Sequence, residues 1–288
     1  MTKKFVFLFT IMALVFSANY SAFALAEKQP ANLSTPGIEK TLILPEVAIE
    51  GSGVIALGTA IDPQSGKLVE GYAIVHHKKD KAKSNNAQGQ GKTTTASACY
   101  GYLGKGAKWK IVEPWVFSGA NSEGLDEAVL FALTQEGVNK WEDAADGVAG
   151  NSVGGNILGE GSLTSNTLEA DTASPDGQNE VYFGNVSDSS AIAVTIVWGR
   201  FGGPINQRQL VEWDMIFDES DFDWATTGEA GKMDFDSIAT HELGHAVGMA
   251  DLYTSSCAEE TMFGYSTEGE LKKRDLNTGD IIGVNTLY

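Results

Sequence analysis

The residues most able to do chemistry lie in one stretch, His241–Asp251, which spells HELGHAVGMAD and holds two of the four histidines of this 288-residue chain. Side chains four positions apart project from the same face of an α-helix, so His241 and His245 can bind one zinc ion together. Glu242 follows the first histidine, where a carboxylate can act as a general base toward a zinc-bound water. The stretch therefore predicts a helix that carries a catalytic zinc site.

The third zinc ligand is expected just after this helix. Gly248 can adopt a positive φ, which would end the helix and turn the chain back toward the histidines. Asp251 then supplies a carboxylate oxygen, and catalytic zinc sites combine three protein ligands with an open fourth position. Glu259 and Glu260 are the alternative third ligands, but Asp251 is preferred because they lie in what the sequence predicts to be a loop.

Two other interpretations of the stretch remain open. One is a buried amphipathic helix with incidental histidines, although packing alone does not require Glu242, Gly248 and Asp251 in register. The other is a secreted zinc-binding or adhesive protein without peptidase activity. The presence of Glu242 argues against it, because a structural zinc site needs no base and normally fills its fourth position.

The stretch resembles the HExxHxxGxx(H/D) motif of the metzincin metallopeptidases, to which the matrixins belong. Met262, within Thr261–Gly264, is similar to the Met-turn that underlies the zinc site of these enzymes. Residues Lys273–Tyr288 resemble the last matrixin helix, and Phe217–Trp224 resembles the segment that precedes the matrixin motif. The resemblance extends over Trp213–Tyr288 and is weak before it.

This resemblance implies a zinc metalloendopeptidase that hydrolyses peptide bonds through a zinc-activated water, with Glu242 as the general base. It also implies a zincin-like α/β fold with a twisted mixed sheet, a long first helix, the HExxH helix and a C-terminal helix after the Met-turn. Asp251 stands where most matrixins have histidine, and some bacterial metzincins use aspartate there.

The resemblance fails at the second metal site. Matrixins bind a structural zinc with three histidines and an aspartate upstream of the catalytic helix, whereas this chain has no histidine between His77 and His241. Calcium could stand in for that zinc, with Asp218 and Asp221 as candidate ligands, because calcium prefers oxygen ligands. A solvated acidic loop is an equally good interpretation of these residues.

The N-terminus, residues 1–26, has the pattern of a secretory signal peptide. Lys3 and Lys4 precede an apolar run, Phe5–Phe16, and Ala24–Ala26 fits the small-x-small cleavage rule. A membrane anchor is the alternative, but the apolar run is short for a span of about 20 residues. We therefore expect a secreted, extracellular protein that has no membrane attachment after the signal is removed.

Export would allow a disulfide bond, and the chain has only two cysteines, Cys99 and Cys257. An even pair in a secreted protein favours one bridge between them. The alternative is a latent form in which the Cys99 thiolate caps the zinc and Cys257 is free.

The composition separates residues 27–98 from the region that carries the motif. Two β-rich runs flank a turn signal near Pro63, and a polar stretch rich in Lys, Asn, Gln, Gly, Ser and Thr follows them. We therefore predict a β-rich pro-segment over residues 27–79, a flexible linker over 80–98 and a catalytic domain over 99–288. The alternative for the first segment is a permanent accessory domain that helps to bind substrate.

The sequence leaves open how such a pro-segment would keep the enzyme latent. An acidic side chain, from Glu46, Glu50 or Glu70, could occupy the open zinc position. His76 and His77 end the second β-rich run and lack an obvious partner for a metal site. They are therefore predicted to be solvated residues at a strand end.

The region after Cys99 alternates strand and helix patterns, which indicates one α/β core. A helical period with an acidic first turn predicts a helix over Leu125–Ala145. Strands are predicted at Lys110–Phe117, Glu180–Gly184, Ala191–Trp198 and Leu210–Phe217.

The formal net charge is −18, and most of the acidic residues follow Cys99. An acidic catalytic region argues against nucleic acid or an anionic membrane as a partner. We expect a protein or peptide as substrate and a monomeric enzyme, with zinc as the cofactor and calcium as a second candidate ion.

Overall fold

A nine-stranded mixed sheet runs through the residues that this structure, a computed structural model, describes, namely 41–45, 53–79 and 99–288. Residues 1–26, residues 80–98, Glu46 and Glu50 lie outside the described part of the chain. The strands of this sheet are β1 (Thr41–Leu42), β2 (Val54–Ile61), β3 (Leu68–Lys78), β4 (Trp115–Ser118), β5 (Gly161–Leu163), β6 (Asn179–Val186), β7 (Ala191–Arg200), β8 (Gln209–Asp218) and β11 (Tyr265–Ser266). A separate pair consists of β9 (Trp224–Ala225) and β10 (Met233–Asp234).

The strand order is β11-β3-β7-β8-β6-β4-β5, with β2 paired to β3 and β1 paired to β6. Strands β5, β4, β6 and β8 are parallel to one another, whereas β7 runs antiparallel to β8 and β3 runs antiparallel to β7. Parallel neighbours need long crossover connections, and the first helix lies in the connection between β4 and β5. The expected twisted mixed α/β sheet agrees with this topology.

Three α-helices accompany the sheet: α1 (Glu127–Asp143), α2 (Phe235–Ala246) and α3 (Thr278–Leu287). Each begins where an Asx side chain satisfies free backbone N–H groups: Asp126 caps α1, Asp234 caps α2, and Asn277 forms a capping box with α3. These are the predicted long first helix, HExxH helix and C-terminal helix. No helix among the described residues is long and apolar enough to span a membrane.

The first strand after Cys99, β4, is shorter than predicted. It covers Trp115–Ser118 instead of Lys110–Phe117. Ile111 is 66% exposed, so the apolar residues before the strand do not enter the core. Pro114 precedes the strand and cannot donate a ladder hydrogen bond, which confines it to a strand start or an edge.

The two faces of the sheet have separate cores. The face toward α1 and α2 contains large aromatic residues, including Trp115, Trp213 and Phe235, and all twelve residues of α2 are buried. The opposite face packs Tyr182 and Trp198 with other apolar side chains. Helix α2 is thus an internal helix, and its side chains are held by contacts on every side.

The described parts of the N-terminal segment, residues 41–45 and 53–79, contribute β1, β2 and β3 to the same sheet as the strands of residues 99–288. Strand β3 pairs with β7 over Glu70–His77 and lies between β7 and β11, inside the sheet. Strand β3 and the strands of residues 99–288 thus belong to one sheet, and a polar stretch can connect two strands of one sheet as well as two domains. Release of residues 27–98 by cleavage is a different matter and remains a prediction.

The predicted bond between Cys99 and Cys257 is confirmed. The two Cα atoms lie 5.4 Å apart and the cysteines are separated by 158 residues in sequence. The bond ties the start of the 99–288 region to the loop after Asp251. Cys99 in this structure is therefore not a free thiolate that caps a metal.

Replacing both cysteines in a Cys99→Ser, Cys257→Ser variant should lower the free energy of unfolding by about 2–5 kcal/mol, because the bond limits the unfolded chain. Urea unfolding of the purified variant and wild type measures the difference. Two reactive thiols in denatured, unreduced wild-type protein would contradict the bond.

Candidate metal centre and active site

Helix α2 positions the two histidines, and contacts at its two ends fix where the helix begins and ends. At its start, Asp234 accepts a hydrogen bond from the Ser237 N–H at 3.0 Å and pairs with the Arg274 guanidinium at 2.6 Å. At its end, Gly248 has φ +105°, as expected from the sequence, and the chain turns back there. This turn brings Asp251 beside the helix face that carries the histidines.

The three predicted ligands converge. Nε2 of His241 lies 3.1 Å and Nε2 of His245 lies 3.5 Å from Oδ1 of Asp251. All three atoms are buried and have no hydrogen-bond partner among the described residues. Together they form a group whose ligand atoms lie close enough to share one metal ion.

The other ring nitrogen of each histidine fixes the tautomer. Nδ1 of His241 is 2.7 Å from the Thr261 carbonyl oxygen, and Nδ1 of His245 is 3.0 Å from the Met249 carbonyl oxygen. A carbonyl can only accept, so each Nδ1 carries the proton and each Nε2 presents a lone pair. Two imidazole nitrogens and one carboxylate oxygen are a donor set that suits zinc.

The charges in this group also favour a cation. Burial lowers the pKa of His241 to about 3, with the nearby Lys273 charge acting in the same direction. Burial acts to raise the pKa of Asp251, but the imidazoles of His245 and His241 hold it well below its usual value. Asp251 is therefore anionic and His241 neutral at neutral pH, as ligands of a metal ion must be.

Glu242 lies beside the ligands, fully buried, and both carboxylate oxygens have partners. The Thr195 hydroxyl donates to Oε2 at 2.6 Å, and Nδ1 of His76 donates to Oε1 at 2.9 Å. Burial raises the pKa of Glu242 to about 7, against the lowering effects of His245 and Thr195. A carboxylate with a pKa near neutrality is well suited to take up and release a proton.

His76 is not the solvated residue that the sequence predicted. It is 0% exposed, and its ring lies 3.9 Å from the His241 ring, measured between centroids. Nε2 of His76 accepts from the Ser266 hydroxyl at 3.0 Å. The missed signal is alternation along β3, because His76 shares a strand face with Ile74, which enters the core toward α2. His77, on the other face, is half-buried near Asp188.

Two further side chains at the site carry no sequence motif. Lys273 is 0% exposed and donates to the Phe263 carbonyl, with Nζ 3.2 Å from Nε2 of His76; burial lowers its pKa to about 7. The Tyr253 hydroxyl donates to Oδ2 of Asp251 at 3.0 Å, which orients the carboxylate. Sequence reasoning had no means of finding either residue.

Met262 lies beneath the metal group. A Cβ added to Gly244, between the two histidines, would come within 2.1 Å of the Met262 sulfur, so the thioether packs directly on the helix backbone. Asp280 of α3 stabilises the Thr261–Gly264 turn. Its carboxylate accepts hydrogen bonds from the N–H groups of Thr261 at 2.7 Å and Met262 at 3.2 Å. This is the position that the sequence expectation assigns to a Met-turn.

The alternative third ligands lie elsewhere. Glu259 is exposed, and Glu260 accepts from the Gly279 N–H at 2.9 Å. Neither belongs to a group of potential metal ligands among the described residues. The structure therefore brings Asp251, and not these glutamates, to His241 and His245.

The calcium candidates do not form a ligand group in the described chain. Oδ1 of Asp218 accepts from the N–H groups of Ser220 at 2.8 Å and Asp221 at 3.3 Å, which closes a local turn. Burial raises the pKa of Asp218 to about 6, and Asp221 is exposed. Calcium binding by Asp218 and Asp221 stays a prediction.

The matrixin family model matches residues 203–288, which contain α2, the Met262 turn and α3. No curated protein matches the chain. The family match covers the two histidines, Glu242 and Asp251, whose geometry independently forms a candidate metal centre. Residues 203–288 are therefore similar to the matrixin metallopeptidases.

Proposed function

We propose that this protein is a secreted zinc-dependent endopeptidase that is made as a latent precursor. The observation that carries the proposal is the convergence of two imidazole lone pairs and one carboxylate oxygen beside the buried carboxylate of Glu242. A metal-binding protein needs only the first three groups. The fourth group, the Glu242 carboxylate, is not needed to bind a metal ion but can act as a base, and its presence favours catalysis.

Each residue then has a role in peptide hydrolysis. His241, His245 and Asp251 would hold zinc, which when bound acts as a Lewis acid and lowers the pKa of a water ligand to about 7. Glu242 accepts the proton of the attacking water and returns it to the leaving amine. The Thr195 hydroxyl, 2.6 Å from Oε2, keeps the Glu242 carboxylate oriented.

Latency would come from strand β3. The ligand side chains are at most 3% exposed, and His76 of β3 occupies one oxygen of Glu242. The backbone of Gly53 adds to the cover, since a Cβ there would lie 3.7 Å from Oδ2 of Asp251. A substrate cannot approach a base and a metal that the chain itself covers.

Release of β2 and β3 would expose Glu242 and the metal ligands. It would also create a binding surface for the substrate. Strand β7 would lose β3, one of its two antiparallel neighbours, and become an edge strand beside Glu242. An exposed edge presents unpaired N–H and C=O groups, to which an extended peptide can add as a new strand. In this form of the proposal His76, rather than Glu46, Glu50, Glu70 or Cys99, keeps the enzyme latent.

The burial of the ligands also fits the alternative, a zinc-binding or adhesive protein without peptidase activity. A third possibility is that β3 is retained and His76 positions Glu242 in the active enzyme. The following experiments separate these cases, because they measure zinc content, activity and the N-terminus independently.

A Glu242→Gln variant should lose about 10²–10⁴-fold in peptidase activity, the usual contribution of a general base, while it keeps its zinc. Casein digestion and metal analysis of the purified variant measure the two properties. Glu260→Gln is the matched control, since Glu260 belongs to no group of potential metal ligands among the described residues. Full activity of a folded, zinc-loaded Glu242→Gln variant would contradict the mechanism.

An Asp251→Ala variant should bind zinc more than about 100-fold more weakly than wild type, since even the outer partners of a metal ligand contribute about 10–100-fold. Glu259→Ala and Glu260→Ala should bind zinc normally. Competition with a chromogenic chelator gives the affinities. Equal zinc affinity in all three variants would remove Asp251 from the ligand set.

N-terminal sequencing of fully active secreted protein should give a start between about residue 80 and residue 99, because cleavage in the predicted linker frees the segment that carries β3. The Glu242→Gln variant, purified in parallel, shows whether the cleavage is autocatalytic. A start near residue 27 in fully active material, with β3 still bound, would refute latency and support a retained strand.

A further inference from the structure

The His76 ring fills a buried space between Glu242 and the C-terminal region of the chain. One face of the ring lies against the His241 ring, with 3.9 Å between the centroids. At one end, Nδ1 meets the Glu242 carboxylate at 2.9 Å. At the other end, Nε2 meets the Ser266 hydroxyl at 3.0 Å and Nζ of Lys273 at 3.2 Å. We call this space the His76 pocket; the side chains at its closed end are at most 2% exposed.

Lys273 is a buried donor without a paired carboxylate. Among the described residues, no Asp or Glu forms an ion pair with it. Its Nζ also lies 3.3 Å from Nδ1 of His241, but that nitrogen carries a proton for the Thr261 carbonyl and cannot accept. The acceptors that remain for Lys273 are the Phe263 carbonyl and Nε2 of His76.

The closed end of the pocket therefore requires an acceptor where Nε2 of His76 lies. A lysine side chain can only donate, so Nε2 accepts and Nδ1 carries the proton that is donated to Glu242. Removal of this acceptor would leave the buried N–H groups of Lys273 and the O–H group of Ser266 without it. Unpaired buried donors are costly in free energy.

A substrate strand on β7 would bring one side chain into this pocket. In the proposed function, on which this inference rests, an extended peptide replaces the released β3 along β7. His76 pairs with Ala193 of β7, and directly opposite residues of two paired strands project to the same face of the sheet. The substrate residue opposite Ala193 therefore takes the place of His76.

We propose that the His76 pocket selects a substrate side chain with an acceptor oxygen at its tip, namely glutamine or glutamate. In both, an oxygen lies as many bonds from Cβ as Nε2 does in histidine, so it can accept from Ser266 and Lys273 in the same way. Asparagine and aspartate are one bond shorter. Leucine and methionine have a suitable size but leave both donors unpaired. Ser266 and Lys273 are then the residues that determine specificity.

Cleavage preference tests the pocket in the processed enzyme. Mass spectrometry of digested casein should show glutamine and glutamate enriched at one position relative to the cut bonds. Synthetic peptides that differ only at that position should show a kcat/KM at least about tenfold higher for glutamine and glutamate than for leucine and methionine, because a site built to hydrogen-bond a side chain rejects one that lacks the acceptor. Either order of the glutamine and glutamate peptides agrees with the proposal.

Lys273→Met should abolish or reverse this preference, because its thioether no longer requires a strong acceptor. Lys272→Met is the matched control and should keep the preference, since Lys272 is partly exposed and pairs with Glu270 at 2.9 Å. The ratio of kcat/KM between two peptides does not depend on the fraction of active enzyme, so it separates lost specificity from lost structure. Zinc content is measured in both variants.

The full-length protein tests the same pocket without catalysis. In zinc-loaded Glu242→Gln protein, which cannot digest itself, His76→Gln keeps an acceptor for Ser266 and Lys273, whereas His76→Leu does not. We expect the Tm of the His76→Leu variant to lie about 4 °C or more below that of the His76→Gln variant, because buried donors are left unpaired.

Three results would overturn the proposal: equal cleavage of the four peptides, an unchanged preference in Lys273→Met, or equal Tm values for the two His76 variants. If the processed protein cleaves no peptide at all, the proposed function fails. The Tm comparison then still decides whether the His76 pocket requires an acceptor.

Discussion

The candidate metal centre of this protein depends on one buried anion. Asp251 is held in its charged form beside two imidazoles whose lone pairs point at it, and no described donor satisfies the oxygen that they share. The charge of Asp251 favours a cation beside it; although burial acts to lower the pKa of His245, this charge raises it. The surrounding structure keeps Asp251 in place: the Gly248 turn brings the aspartate back, Tyr253 orients its second oxygen, and backbone carbonyls fix both histidine tautomers.

Around this anion, the N-terminal strand and the C-terminal region meet at one base. Glu242 receives hydrogen bonds from His76 of β3 and Thr195 of β7, while Ser266 and Lys273 contact the other nitrogen of His76. This network links helix α2 to β3, the strand that covers Glu242. Removal of β3 would therefore uncover Glu242 and free the edge of β7 together, which is the physical basis of the proposed latency.

The two faces of the sheet carry different sets of buried ionisable groups. On the α2 face, imidazoles and one carboxylate form a mixed nitrogen and oxygen group, which suits zinc. On the opposite face, Glu212, Asp214 and Asp171 form a group of carboxyl groups whose pKa values burial raises. Strand β8 contributes to both cores through the alternation of its side chains.

The sequence by itself determined the parts of the site that are local. The spacing of His241 and His245 on a helix, the turn at Gly248 and the approach of Asp251 all follow from backbone geometry over a few residues. The disulfide bond could also be predicted, because Cys99 and Cys257 are the only two cysteines of the chain. What only the tertiary structure decided are contacts between distant residues: His76 and Glu242 are 166 positions apart, and His76 and Lys273 are 197 apart. Such contacts leave no periodic trace in a sequence, because they arise from which strands become neighbours, and the polar stretch after β3 suggested a domain boundary where the chain returns to the same sheet.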